Sequence, residues 1–387
     1  MAITLFFVVL VGSIVLHEAG HFWTARRFGM KAERFFIGFG PTLWSTQRGE
    51  TEVGVKAIPA GGFVKIAGMS RADPVDPADE PRAFYNQPPW QRAIVLVAGV
   101  ATHFVLAAVL IWGGLTFAEL PRFDGAAPVV TTAVGSVEED TAAQAAGIEV
   151  GDELLLVGGV DATEPQAAVD AIAARAGETI DVVVLRDGAE VTLAATLPAT
   201  DPDGEPRGFL GVGLIGLPQF VSYGPLEALA ATFVGDASIF AQTEAFIRGL
   251  GQALSPASLG AWLQQADGQT PRSDAGPISV VGIGQAVGAL GQAEAWTGVL
   301  LLMIQIQIVI GFLNILPLPP FDGGHLAQLG IESSVNRVRA GFGRSPDWEL
   351  SPTVLTPLAL AVLALVIGFA ATAIYIDIVN PVSGLFD

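Results

Sequence analysis

Four apolar segments constrain the fold of this 387-residue chain more than any other feature. One helical span of a bilayer core needs about 20 consecutive apolar residues. Charged residues make up 15% of the chain, against about 25% in an average soluble domain. The sequence therefore predicts a polytopic α-helical membrane protein with about four transmembrane helices. The qualifying segments are residues 2–25, 93–118, 296–316 and 353–376.

Charge and cysteine content exclude several classes of function. The formal net charge is −19, and so negative a chain repels the phosphates of a nucleic acid. The chain has no cysteine, which removes disulfides, thiolate metal sites and thiol catalysis. We therefore expect the lipid bilayer as a partner and no nucleic acid.

The distribution of basic residues predicts the orientation in the membrane. Residues 26–92 carry 10 of the 19 Lys and Arg, whereas residues 119–295 carry 6 of them together with 24 of the 38 Asp and Glu. Loops rich in Lys and Arg stay on the cytoplasmic side. The loops after the first and third spans are therefore predicted to be cytoplasmic, and the long acidic loop extracytoplasmic.

The first apolar segment contains an H-E-x-x-H motif made of His17, Glu18 and His21. Positions i and i+4 share one face of a helix, so both imidazoles can bind one Zn²⁺ while Glu18 acts as a general base. Ionisable groups inside a span are costly and mark functional sites. The alternative is a hydrogen-bonded polar cluster without a metal.

A catalytic zinc site has three protein ligands and an open position. Asp322 follows the third span at the predicted cytoplasmic end, after a proline-rich helix break that lets the chain turn toward a cavity. Gly323 and Gly324 permit a tight turn beside it. We therefore predict Asp322 as the third ligand, with His325 as the competing candidate.

These motifs resemble the site-2 protease family of intramembrane zinc metalloproteases, in the bacterial branch that carries a PDZ domain. The H-E-x-x-H motif and the N-x-x-P-x-P-x-x-D-G-G motif of residues 314–324 carry the resemblance, which covers nearly the whole chain. It implies one Zn²⁺ per chain on His17, His21 and Asp322, and Glu18 as catalytic base. It further implies that Asn314 binds the substrate backbone; capping of the broken helix end is the alternative.

One position departs from the family pattern. The second span of the family usually reads A-G-P-x-x-N, but here Val100 replaces the proline and His103 replaces the asparagine. Three roles for His103 stay open: a polar substitute, a neighbour of the metal site, or an interior histidine that is hydrogen-bonded across helices.

The cytoplasmic residues 51–68 are predicted to form a membrane-associated β-hairpin. Val53 and Val55 alternate with polar or small residues, and Gly61 and Gly62 supply the turn before Phe63. A strand edge beside the active site can bind an extended substrate as an added strand. Gly61, Gly62 and Phe63 are therefore predicted substrate-binding residues, and a plain surface hairpin is the alternative.

The acidic loop contains a predicted α+β domain at residues 121–217. A strand at 153–157, a helix at 166–176 and a hairpin that turns at Asp187 and Gly188 resemble a PDZ domain, together with the segment A-G-I-x-x-G-D. Residues 1–120 and 296–387 are predicted to form the two catalytic membrane segments. Residues 218–295 are predicted to contain an amphipathic helix and a linker, loop-like over residues 251–273.

The function implied by the resemblance is hydrolysis of peptide bonds within transmembrane segments of other proteins. In regulated intramembrane proteolysis, another protease first cleaves the substrate outside the cytoplasm, and the intramembrane cleavage follows. A membrane-bound anti-sigma factor is an example of such a substrate. The predicted location is the plasma membrane of a prokaryote. A non-catalytic PDZ membrane adaptor and a metal transporter or sensor are the alternatives; the first would tolerate loss of Glu18, and the second needs neither Glu18 nor a PDZ domain.

Overall fold

The structure is a computed structural model, and it describes residues 1–69, 73–124, 127–128, 130–270 and 276–382. The predicted loop at residues 251–273 and the two predicted catalytic membrane segments therefore extend partly outside the described residues. The helices are α1 Ala2–Arg27, α2 Pro89–Phe117, α3 Ala142–Ala146, α4 Pro165–Ala173, α5 Pro225–Phe233, α6 Ile239–Ala253, α7 Pro256–Gln264, α8 Val280–Gln292, α9 Trp296–Ile315, α10 Asp322–Gly341 and α11 Pro352–Val379. The strands are β1 Ala32–Arg48, β2 Thr51–Ile66, β3 Leu120–Pro121, β4 Phe123–Asp124, β5 Ala127–Pro128, β6 Val130–Val137, β7 Glu153–Val157, β8 Val160–Asp161, β9 Thr179–Arg186, β10 Ala189–Thr196, β11 Val212–Pro218 and β12 Phe220–Val221.

The chain divides into two compact units. One comprises Met1–Ala118 and Tyr223–Asp387, and the other comprises Glu119–Ser222. In the described residues, four helices are long and apolar enough to span a membrane, namely α1, α2, α9 and the 353–379 portion of α11. All four lie in the first unit, close to the bounds predicted from the apolar segments.

Helices α1 and α2 approach each other at a pair of small residues. A Cβ atom added at Gly20 would lie 2.6 Å from the carbonyl oxygen of Ala98, which is a steric clash. The same atom added at Gly12, two turns earlier on α1, would have no neighbour within 4 Å. Small residues at such contacts let membrane helices approach closely. The contact at Gly20 brings the H-E-x-x-H face of α1 against α2.

The hairpin of the first unit is built differently from the prediction. Strands β1 and β2 are joined at Gly49 and Glu50, and residues 34–37 of β1 pair on one side with residues 62–65 and on the other with residues 52–55. The two halves of residues 51–68 therefore flank residues 34–37 and do not fold on each other, and residues 44–48 of β1 pair with the outer side of residues 51–55. The predicted turn at Gly61 and Gly62 was wrong, because the aromatic-rich start of β1, which lacks alternation, lies between the two halves.

Residues 218–295 contain more helix than the sequence predicted. One amphipathic helix was expected after the α+β domain, but α5, α6, α7 and α8 all form, and α7 overturns the loop prediction over Pro256–Gln264. Ser238, Ser255 and Ser279 begin three of these helices by accepting hydrogen bonds from backbone amides. A serine directly before an apolar run was the visible signal for each of these three helix starts.

Helix α11 contains a buried carboxylate near its end. The helix extends past the predicted apolar segment, so Asp377 lies in its last turn with no exposed surface. Its Oδ2 accepts hydrogen bonds from the backbone amides of Ser279 at 2.7 Å and Gly282 at 3.2 Å. Asp377 therefore caps the N-terminus of α8, where a negative charge is favourable.

The second unit has a sheet with the strand order β10-β9-β7-β6-β11, and β8 pairs with β7. The predicted strand at residues 153–157 coincides with β7, and the predicted hairpin with a turn at Asp187 and Gly188 is β9–β10. The guanidinium of Arg186 donates two hydrogen bonds of 2.7 Å to the buried Asp152 carboxylate. That ion pair holds the pKa of Asp152 below its usual value.

Candidate metal centre

Three predicted ligand residues converge at one point in the first unit. The Nε2 atoms of His17 and His21 are 3.2 Å apart, and the Oδ2 atom of Asp322 lies 3.2 Å from each of them. His17 and His21 come from adjacent turns of α1, whereas Asp322 comes from the start of α10, about 300 residues later in the chain. All three side chains are largely removed from solvent.

The ring of His21 is fixed by the main chain of α2. Its Nδ1 atom lies 2.8 Å from the carbonyl oxygen of Val95. A carbonyl oxygen can only accept, so Nδ1 carries the hydrogen and Nε2 of the neutral ring presents its lone pair to the site. Such a hydrogen bond on the far nitrogen is the usual support of a metal-binding histidine.

Gly99 gives the His21 ring its space. A Cβ atom added at this position would lie 2.2 Å from His21 Nε2 and 2.4 Å from Cε1. Any side chain at residue 99 would therefore occupy the place of the nitrogen that faces the site. Helix α2 thus contributes the Val95 carbonyl oxygen, which accepts a hydrogen bond from His21, and Gly99, which leaves room for the His21 ring.

Two glycines place Asp322. A Cβ atom at Gly323 would lie 2.2 Å from the Ile315 carbonyl oxygen, and one at Gly324 would lie 2.4 Å from the Pro319 nitrogen. The turn between α9 and α10 can therefore close only with glycine at both positions. Asp322 begins α10, where the helix dipole favours its negative charge. His325, the competing candidate, is exposed and lies outside the group of converging donor atoms.

Glu18 faces the segment of β2 that contains Gly62 and Val64. Its side chain is half-buried, and a Cβ atom added at Gly62 would lie 3.0 Å from Glu18 Cγ. The Glu18 carboxylate also interacts with the backbone amide of Val64. The strand segment that contains Gly62 and Val64 therefore runs directly past the carboxylate that follows His17 in the chain.

The donor set fits a zinc ion. Four-coordinate zinc with bonds of about 2.0 Å has its ligand atoms about 3.3 Å apart, close to the three observed separations of 3.2 Å. Asp322 Oδ2 is buried, and its two contacts lack hydrogen-bond geometry. A lone-pair atom that faces two imidazole nitrogens without hydrogen-bonding to them is arranged for a shared cation. Two histidines and one carboxylate also leave a fourth position open, as catalytic zinc requires.

The remaining predicted residues lie on the elements around this centre. Asn314 is half-buried near the end of α9, and its side chain forms no hydrogen bond with the described residues, so nothing assigns it the capping role. Phe63 stacks on Phe36 with ring centroids 5.6 Å apart. Gly61 has a φ of +142°, which favours glycine, and a Cβ there would meet the ring of Phe39 at 2.5 Å.

His103 is an interior histidine that is hydrogen-bonded across helices. Its Nδ1 atom lies 2.9 Å from Oε1 of Gln307 on α9, and both side chains are buried. The partner is the side-chain amide of Gln307. Sequence reasoning missed Gln307, although a polar side chain in the middle of an apolar span was a visible signal.

Solved structures resemble a small part of the chain. The PDZ domain of an SdrC-like protein from Listeria monocytogenes is 22% identical, with a TM-score of 0.20, and covers 22% of this chain and 87% of its own. A second domain of another Listeria protein is 26% identical, with a TM-score of 0.19, and covers 22% of this chain and 83% of its own.

Several metalloproteases match this chain over nearly its full length. Zinc metalloprotease Rip1 of Mycolicibacterium smegmatis is 35% identical and covers 99% of this chain and 98% of its own. The Rip1 protein of Mycobacterium tuberculosis is also 35% identical, with 98% coverage of both chains. Metalloprotease MmpA of Caulobacter vibrioides is 32% identical over 100% of this chain and 98% of its own. The model of peptidase family M50 matches residues 5–342, and the chain therefore belongs to this family, the site-2 protease family of intramembrane zinc metalloproteases.

Proposed function

We propose that this protein cleaves peptide bonds inside transmembrane segments of other membrane proteins, with one zinc ion held by His17, His21 and Asp322. The observation that supports it best is the triangle of donor atoms with 3.2 Å sides beside the half-buried Glu18. All of these residues lie within or next to apolar helices long enough to span a bilayer. A soluble peptide would have to enter the bilayer to reach such a site, whereas a transmembrane helix already lies at that depth.

The residues of the site divide the reaction between them. A bound zinc ion supplies a Lewis acid that polarises the scissile carbonyl and makes a water molecule more acidic. Glu18 accepts a proton from the attacking water on its carboxylate and delivers it to the departing amine nitrogen. Val95 and Gly99 keep His21 in the orientation that presents Nε2, and the half-buried setting of Glu18 limits exchange with bulk water.

The hairpin edge is proposed to hold the substrate. Residues 62–65 pair with residues 34–37 on one side, and on the other side they run past Glu18. A substrate segment that unwinds from its helix could add to this edge as a strand, which would place its exposed peptide bonds beside the carboxylate. Gly61 and Gly62 keep that edge free of side chains, Phe63 packs beneath it, and Asn314 offers an amide to the substrate backbone.

The acidic second unit is proposed to be an extracytoplasmic PDZ domain. The bias of basic residues toward residues 26–92 supports this orientation. A domain outside the membrane suits a substrate whose outer part is removed by a first cleavage, as in regulated intramembrane proteolysis. Membrane-bound anti-sigma factors of a prokaryotic plasma membrane are the proposed substrate class.

Removal of any one ligand is expected to release zinc and abolish cleavage of a single-span substrate. His17→Ala, His21→Ala and Asp322→Ala should each weaken zinc binding by more than about 100-fold, because loss of a ligand costs more than loss of a residue that orients one. His325→Ala, which removes an exposed histidine three residues from Asp322, is the matched control and should keep one zinc per chain. Zinc content of the purified full-length protein is the measurement, and retention of zinc by all three ligand variants would refute the site.

Single introduced cysteines can test the orientation, because the natural chain has none. A membrane-impermeant maleimide should label Asp187→Cys, at the exposed turn between β9 and β10, in intact cells. The same reagent should label Gln47→Cys, on β1 of the hairpin, only after the membrane is permeabilised. Labelling of Gln47→Cys in intact cells would place the hairpin outside and contradict the proposed topology.

A further inference from the structure

The two histidines of the metal centre are supported unequally. His21 donates its Nδ1 hydrogen to the Val95 carbonyl oxygen at 2.8 Å. His17 has no such bond: its Nδ1 atom is buried and has no hydrogen-bond partner among the described residues. A metal-binding histidine usually has a partner on its far nitrogen that fixes the orientation of the ring. Among the described residues, the far nitrogen of His17 therefore gives its ring no support of the kind that Val95 gives to His21.

The ring of His103 lies directly against His17. The ring centroids are 5.1 Å apart and the ring planes are inclined by 38°. This contact falls within the range of paired aromatic rings, which prefer offset or inclined arrangements. His103 is 1% exposed, so its ring has no room to leave this position without disturbing the packing of α2.

His103 is itself fixed by α9. Its Nδ1 atom donates to Oε1 of Gln307 at 2.9 Å, and Gln307 has no exposed surface. Helices α2 and α9 are in close contact at this level, because a Cβ atom added at Gly311 would lie 2.9 Å from the ring of Phe104 and 3.3 Å from His103 Cβ. The His103 ring is therefore hydrogen-bonded to Gln307 on one side and packs against the His17 ring on the other.

We propose that His103 is a positioning residue for His17: its ring packs against the His17 ring and holds Nε2 toward the metal centre, while Gln307 fixes His103. The inference rests on the proposed function, since it assigns a role toward the same zinc site. His103 is not among the converging donor atoms, which belong to His17, His21 and Asp322.

Zinc affinity of the full-length protein in detergent, measured by competition with a chelator, tests this role. His103→Ala should weaken binding by about 10- to 100-fold, the usual loss when a residue that orients a ligand is removed. The double variant His103→Phe with Gln307→Leu keeps a ring against His17 and removes both hydrogen-bonding partners together, which is close to neutral when the shapes match. Its zinc affinity should remain within about threefold of that of the wild type.

The absorption spectrum of the Co²⁺-substituted protein adds a readout that a merely structural role would not change. His103→Ala should alter the Co²⁺ bands, and the double variant should restore them. Gln285→Leu, which removes a hydrogen bond from α8 to the Asp377 carbonyl oxygen, is the control for general loosening of the helices. It should lower the thermal midpoint without changing zinc affinity. Should His103→Ala fail to fold, His103→Leu serves in its place.

Two results would overturn the inference. One is wild-type zinc affinity together with a wild-type Co²⁺ spectrum in His103→Ala. The other is an equal loss of zinc affinity in His103→Ala and in the double variant, because ring packing would then make no difference. Failure of the wild type itself to bind zinc is a separate result, which would remove the proposed function and not the role of His103 alone.

Discussion

Glu18→Gln is expected to lower the rate of cleavage of a single-span substrate by about 10³-fold while one zinc per chain is retained. A positioned general base contributes about 10²- to 10⁴-fold to the rate, and the amide of glutamine has the shape of the carboxylate but cannot accept the proton. The variant should keep zinc because Glu18 lies outside the three converging donors. Cleavage rate and zinc content, measured on the same preparation of full-length protein, give the answer.

The control for this variant is Glu244→Gln. Glu244 is an exposed residue of α6 that pairs with Arg248, and the same chemical change there should leave the cleavage rate near that of the wild type. Equal cleavage by Glu18→Gln and wild type would show that Glu18 is not the base. Loss of zinc from Glu18→Gln would instead assign it to the metal site.

The second large effect is expected from a single added methyl group. Gly99→Ala should lower zinc affinity by at least about 10-fold, and cleavage with it, because the new Cβ atom would lie 2.2 Å from His21 Nε2. The ring would have to turn away from the site and give up its hydrogen bond to Val95, and loss of such a support costs about 10- to 100-fold in metal affinity.

Gly113→Ala is the matched control for this change. Gly113 lies on the same helix, and an added Cβ atom there would have no neighbour within 4 Å. Both substitutions raise helix propensity by the same amount, about 1 kcal/mol at most, so the difference between them isolates the contact with His21. A zinc affinity of Gly99→Ala equal to that of Gly113→Ala would mean that α2 does not approach His21 as described.

Much of the first unit was predictable because its signals are local. The runs of apolar residues predicted α1, α2, α9 and α11 close to their observed bounds, since nothing in a hydrophobic run competes with helix formation in a bilayer. The motif chemistry also singled out His17, His21 and Asp322 before their side chains were seen together. Their spacing along α1, and the break before α10, are properties of single segments.

What the sequence did not predict depends on which segments meet. The role of Gly99 follows only from the approach of α2 to α1 at Gly20, and a glycine within an apolar run gives no sign of its neighbour. The hairpin prediction failed for the same reason: the two halves of residues 51–68 have the pattern of two paired strands, but residues 34–37 lie between them. Gln307 was visible as a polar residue, but its partner His103 lies about 200 positions away.

The unequal support of the two histidines has a consequence for how this site tolerates genetic change. The acceptor for His21 belongs to the peptide backbone at Val95, so no exchange of the side chain at that position can delete it. His17 is supported by the side chains of His103 and Gln307, so a single codon change at either residue can remove that support. A saturation mutagenesis scan scored for proteolysis should therefore detect the surroundings of His17 clearly. The same scan should show little effect of substitutions at Val95, although the Val95 carbonyl oxygen fixes His21 by a direct hydrogen bond.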